Sequence, residues 1–241
     1  MHCQRMSESI AEVADNQPAD AQGFVLAEVV AAAQPRVLRG LCRDWPLVQA
    51  AQRSQGDFAQ ALAAFDTGTP VDVLHMPPEE QGVVGYNAAI DGFNYRHFRV
   101  CVTEVLQRLA AYSRIDGAVP GLALQSALAS ACVPGFLGTH PMPCLPASAQ
   151  PRLWVGNNVT TPAHFDASHN LAVVLCGKRR FTLFPIEQVA NLYIGPLDFA
   201  PTGVAITMAR PDAPDFERHP RLREALEHAR VVELEPGDAL Y

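Results

Sequence analysis

Residues 153–185 read LWVGNNVTTPAHFDASHNLAVVLCGKRRFTLFP, and the fold class is legible in this stretch. Leu153 to Val159, Asn170 to Leu175 and Arg180 to Phe184 are short apolar runs rich in Val, Leu and Phe. Turn-prone residues separate them, the pattern of an antiparallel barrel or sandwich rather than of helices. Between the first two runs lies Thr160-Thr161-Pro162-Ala163-His164-Phe165-Asp166-Ala167-Ser168-His169-Asn170. His164 and Asp166 are two positions apart, so an extended backbone points both the same way, toward one ion. Imidazole nitrogen with carboxylate oxygen suits Fe(II), and in oxygenases such a pair and one further His hold one face of the metal. The bland alternative for an isolated HxD pair is a surface turn with a capped aspartate.

The next two runs are joined by Leu175-Cys176-Gly177-Lys178-Arg179-Arg180-Phe181, a strand, a tight turn and a second strand. Alternation places Arg179 with Phe181 and Leu183 on one face, and Lys178 and Arg180 with Thr182 and Phe184 on the other. If the first set points inward, Arg179 does too. An inward guanidinium needs an anionic partner, which a dicarboxylate ligand supplies by a bidentate contact. Taken alone, the GKRR turn reads more readily as a solvated basic turn.

Upstream the character is helical. Residues 1–22 read as a flexible tail and 23–241 as one domain. Residues 24–33 and 57–65 read as helices, and Val102 to Tyr112 repeats its apolar residues at helical spacing. Arg36 to Leu41 reads as a strand, with PRVLRGLCRDWP stopping at Pro46, and Val71 to Leu74 as another strand. The five prolines of 133–152 suggest a long irregular loop. Residues 220–230 read as a short helix, Val231 to Leu234 as a strand, Glu235-Pro236-Gly237-Asp238 as a turn, and Ala239-Leu240-Tyr241 as one more strand. Trp45 and Trp154 read as core residues. The expected fold class is mainly β with N-terminal helices.

The whole chain bounds the function. Its 241 residues, 49% of them hydrophobic, suit one large domain. The net charge of -7 argues against a nucleic-acid partner. No apolar stretch is long enough to span a bilayer, and the first twenty residues lack a signal-peptide core, so a cytoplasmic protein is expected. Six cysteines without CxxC spacing read as reduced, mostly buried thiols.

Across roughly residues 24–241, and most specifically 154–185, the chain resembles the cupin-like branch of the JmjC oxygenases. That branch includes the asparaginyl hydroxylase acting on hypoxia-inducible factor. The resemblance runs through PRVLRGLCRDWP, NNVTTPAHFDASHN, GKRRFTLFP and EPGDALY. It implies a double-stranded β-helix (a jelly-roll) with Fe(II) as cofactor and 2-oxoglutarate as co-substrate. By the same resemblance His164 and Asp166 are metal ligands, and Thr161 and Arg179 bind the distal carboxylate of 2-oxoglutarate. Asn170 contacts the co-substrate beside the iron. Two departures stand out: Arg179 replaces a lysine, and Ala123 replaces a tyrosine found in some relatives.

In the family, a turn and strand like Gly237 to Tyr241 lead on to a third ligand, a histidine, whereas this chain ends at Tyr241. His169, His219 and His228 read as structural or solvated histidines. The expectation is therefore a hydroxylase of a protein side chain or a small molecule, weak or inactive as 241 residues. The late strand is expected to be short, leaving an unpaired edge that favours a homodimer. The alternatives are a non-catalytic cupin-fold binding module and a cupin metalloenzyme that is not an oxygenase.

Overall fold

A computed structural model of the chain describes residues 11–13 and 26–241, so most of the expected 1–22 tail lies outside the described residues. Helices dominate early. They are α1 (Leu26–Ala32), α2 (Pro46–Arg53), α3 (Gln55–Ala63) and α4 (Val102–Tyr112), followed by the short α5 (Ala129–Cys132), α6 (Pro134–Thr139) and α7 (Leu222–Glu227). The strands are β1 (Ala11–Val13), β2 (Arg36–Leu38), β3 (Val71–Met76), β4 (Arg96–Val100), β5 (Gly121–Leu128), β6 (Arg152–Gly156), β7 (Ala172–Val173), β8 (Arg179–Leu183), β9 (Arg230–Leu234) and β10 (Ala239–Leu240).

Among the described residues the strands form three sheets. One is the antiparallel β4-β3-β5-β6. A second has the order β1-β2-β10-β7, with β1 and β2 parallel and β10 antiparallel to both its neighbours. The third is the antiparallel pair β8-β9. This mostly antiparallel, sheet-rich architecture with flanking helices fits a cupin fold.

The helices cover one face of the four-stranded antiparallel sheet. Val102, Val105 and Leu106 of α4 share a core with Leu47 of α2, Phe58 and Leu62 of α3, and Val71, Val73, Leu122 and Leu124 of the sheet. Leu62 is fully buried, which stabilises the fold by about 1.5–3 kcal/mol relative to exposure. A second core joins the other two sheets: Val37, Val174, Val232, Leu234 and Leu240, with Phe181 and Leu183 packed against them.

Several local expectations are corrected. Pro46 starts α2 instead of stopping a segment, because proline lacks the N–H that is unsatisfied at a helix start anyway. Pro134 does the same for α6, inside the stretch expected to be an irregular loop. Strand β5 was not expected as a strand; it is interior and buried on both faces, so it lacks the alternation that marks a half-buried strand. Strand β10 lies between β2 and β7 in its sheet. Trp154 is 52% exposed on the edge strand β6, not part of the core.

Candidate functional site

The connection from β6 to β7 carries the HxD pair, and it is pinned at its start. The Asn157 side chain accepts from Leu122 N at 2.9 Å and donates to Pro120 O at 2.8 Å. Thr160 then bridges to the 82–84 segment: its N–H donates to Gly82 O at 2.9 Å and its carbonyl accepts from Val84 N at 3.0 Å. Only glycine fits at 82, where φ is +74° and a Cβ would overlap the Asn158 carbonyl. Ala163 O accepts from Thr207 N at 2.8 Å. Beyond that anchor no strand forms before β7, and residues 164–170 are exposed. No sheet partner fixes the direction of the His164 and Asp166 side chains.

Local hydrogen bonds orient the two side chains instead. The His164 Nδ1 lies 2.8 Å from Pro162 O. A carbonyl only accepts, so Nδ1 donates, and in the neutral ring Nε2 then holds the lone pair, the arrangement of metal-binding histidines whose other nitrogen is tied to a carbonyl. Asp166 Oδ2 accepts from Asn170 Nδ2 at 2.6 Å, leaving Oδ1 free. Two of the expected site residues are thus joined directly. His169 faces elsewhere: its Nδ1 meets the Tyr241 hydroxyl at 2.7 Å and the two rings stack. With Asn170, Gln34 and Pro35 they line a cavity of about 370 Å3, which sequence spacing does not reveal because its walls come from opposite ends of the chain.

On β8 the charges divide by face. Lys178 Nζ lies 2.7 Å from Glu235 and Arg180 Nε 2.9 Å from Glu233, both across the exposed side of the β8-β9 pair. The Lys178 pKa is raised by that hydrogen bond to Glu235 and by the carboxylate's charge. Arg179 lies on the opposite side with Phe181 and Leu183. Its guanidinium sits 5.2 Å from the Phe181 ring centre, and among the described residues no carboxylate pairs with it. Arg179 is exposed, and the protein on its Phe181 side draws the guanidinium pKa below the usual arginine value by desolvation. Among the described residues no hydrogen bond or ion pair links Arg179 to Thr161, His164, Asp166 or Asn170.

The donor set fits two protein positions of a facial iron site, one imidazole Nε2 and one carboxylate oxygen. Among the described residues no group of three or more His, Cys, Asp or Glu is placed to hold a metal ion. His228 Nδ1 is bound to Glu224 O at 2.9 Å. His219, expected to be solvated or structural, is buried. The described cysteines are free thiols. Burial raises the pKa of Cys42 to about 12 and pushes up those of Cys132, Cys144 and Cys176, which makes them poor nucleophiles. Among the described residues no helix is long and apolar enough to cross a membrane.

Comparison with known proteins adds two findings. A family model described as a cupin-like domain matches residues 21–241. The JmjC domain-containing protein F of Dictyostelium discoideum is 31% identical over 103 residues, 38% of this chain and 22% of the relative. The matched part is thus about a fifth of that relative's length.

Proposed function

This chain belongs to the cupin-like domain family, and from that membership we propose that it is an Fe(II)- and 2-oxoglutarate-dependent oxygenase of the JmjC kind. The finer likeness is to the asparaginyl hydroxylase that acts on hypoxia-inducible factor, with a double-stranded β-helix as the scaffold and the cytoplasm as the compartment. A JmjC-domain relative supports the reading. One observation carries it: hydrogen bonds to Pro162 O and from Asn170 leave His164 Nε2 and Asp166 Oδ1 available in one exposed segment, and Arg179, with no carboxylate partner among the described residues, stands on the first strand after β7. A guanidinium without a carboxylate partner is free to take a 2-oxoglutarate carboxylate through two parallel N–H···O bonds.

His164 Nε2 and Asp166 Oδ1 would hold the metal. Bound Fe(II) would supply oxidative decarboxylation of 2-oxoglutarate coupled to hydroxylation of a substrate carbon, on a protein side chain or a small molecule. The protein's own contributions are binding and orientation. The Pro162 carbonyl holds the His164 tautomer, Asn170 holds the Asp166 carboxylate, and Thr161 with Arg179 receives the distal carboxylate of the co-substrate.

Calorimetric titration of 2-oxoglutarate tests this. Arg179→Ala is expected to weaken binding by roughly 1.5–3 kcal/mol, the worth of a charge-assisted contact. Equal affinities in wild type and variant would remove Arg179 from the site and the reading with it. A second reading, a non-catalytic cupin-fold binding module, is favoured by the absence of a third ligand beside His164 and Asp166 among the described residues. Iron-dependent succinate release from 2-oxoglutarate separates the two: release supports the enzyme, and binding without release supports the module.

A further inference from the structure

A cavity of about 590 Å3 opens between the turn that succeeds β8 and the segment leading into α7. Its walls combine an apolar floor, Val189 and Met208, with Tyr193, Arg218, His219 and Arg221. None of these side chains belongs to the HxD segment or to the Arg179 face of β8.

Three features bear on what this cavity could hold, two of its cations, Arg218 and Arg221, being exposed at its mouth. First, among the described residues neither Arg218 nor Arg221 is paired with a carboxylate, although the chain as a whole carries a net charge of -7. The Arg221 guanidinium instead lies 4.9 Å from the Tyr193 ring centre. Second, His219 is only 9% exposed, and among the described residues its imidazole makes no hydrogen bond. No described side-chain nitrogen or oxygen is sealed from solvent without a partner, so the ring reaches out through the cavity. A mostly buried ring whose polar atoms reach solvent only at the cavity is placed to hydrogen-bond whatever fills it. Third, Tyr193 adopts φ +53°, a left-handed conformation that a bulky residue rarely takes. It is held there by its hydroxyl, which accepts from Arg221 N at 3.0 Å, and by its carbonyl, which accepts from Met208 N at 2.8 Å. Its ring also packs edge-on to His219, 4.7 Å between centres. Strain of this kind persists where the surroundings over-determine it, often at ligand clamps.

We propose that this cavity is a second ligand site, for a small molecule bearing a carboxylate or phosphate on an apolar body. The anionic head would sit between the Arg218 and Arg221 guanidinium groups, whose forks match either oxyanion. His219 would donate to it, since an imidazole offers an N–H in either protonation state. The body would rest on Val189, Met208 and the Tyr193 ring. Both head groups share this chemistry, and the assay tells them apart. The proposal stands whether or not the HxD segment binds iron.

The test is calorimetric titration of the full chain with benzoate, with phenyl phosphate and with benzyl alcohol as the uncharged control. Saturable binding of one or both anions, without binding of the alcohol, is expected, and the tighter anion identifies the head group. The double variant Arg218→Gln, Arg221→Gln should bind at least about tenfold more weakly. The Arg218→Lys, Arg221→Lys variant, which keeps the charges, should recover part of that loss and guards against misfolding as the cause. Absence of saturable binding of either anion overturns the proposal. So does full affinity in the glutamine variant, or loss of binding in Arg179→Ala alone, which would put the anion at the other cation.

Discussion

Asp238 fastens the turn before β10 to the turn after β2, and its removal should be strongly destabilising. Its Oδ2 lies 2.7 Å from Arg39 Nη1 and accepts from Glu235 N at 3.1 Å, while Oδ1 accepts from Gly40 N at 2.9 Å. The residue is 8% exposed. Asp238→Ala removes one ion pair and leaves two backbone N–H groups without their acceptor. Each hydrogen bond to a charged group is worth about 1.5–3 kcal/mol, but the three are not additive here. Arg39 keeps its bond to Glu233 O at 2.8 Å, and its side chain, 28% exposed, regains water. A net loss of about 3 kcal/mol results, at the lower end for breaking a largely buried pair. Asp238→Asn keeps an acceptor for Gly40 and should lose roughly half as much. Urea unfolding monitored by circular dichroism measures both, with the slope m unchanged. A loss under about 1 kcal/mol for the alanine variant would refute the claim that this carboxylate couples the two turns.

Two further perturbations probe the fold. His140 is 3% exposed, its Nδ1 meeting Phe136 O at 3.0 Å and its Nε2 accepting from Leu47 N at 3.1 Å. Burial lowers its pKa below the ordinary 6.5, so the unfolded chain binds the extra proton first as the solution is acidified. The resulting stability is full above about pH 6.5 and is lost as pH falls through the folded value. Denaturation midpoints across pH 5–8 should decline faster on the acid side for wild type than for His140→Gln, and parallel profiles would contradict the assignment. Gly237 has φ +98°, and a Cβ there would stand 3.0 Å from Arg43 Cα, whereas Gly68, at φ +76°, has nothing within 4 Å. Gly237→Ala should therefore cost about 2–3 kcal/mol and Gly68→Ala about 1 kcal/mol in the same unfolding assay; equal losses would show that the backbone conformation alone, not the close approach, sets the cost.

Alternation along a strand is a property of the backbone itself, and it sufficed to separate Arg179 from Lys178 and Arg180. The structure has Lys178 and Arg180 on Glu235 and Glu233, and Arg179 beside Phe181. Helical spacing likewise located Val102–Tyr112 to the residue. Local signals erred where tertiary context decides their meaning. Pro46 and Pro134 open helices because Leu47, Val48 and Phe136, just beyond them, pack into the interior. Gly121–Leu128 is a strand because partners stand on both sides of it. At His164 and Asp166 no strand pairs with the chain, and hydrogen bonds to the Pro162 carbonyl and from Asn170 hold the two side chains.

The mainly β class, the residue types of the HxD segment and the cation of the GKRR turn that stands apart were all legible in the amino-acid order, because they depend on composition and on periods of two or 3.6 residues. Three further facts emerged only from the packed chain. Strand β10 lies between β2 and β7, Arg179 lacks a carboxylate partner among the described residues, and Tyr193 and His219 meet across one cavity. Those facts depend on contacts between residues far apart in the chain. The period of a local segment carries no information about which distant segment will cover it, so burial and charge pairing emerge only when the sheets pack.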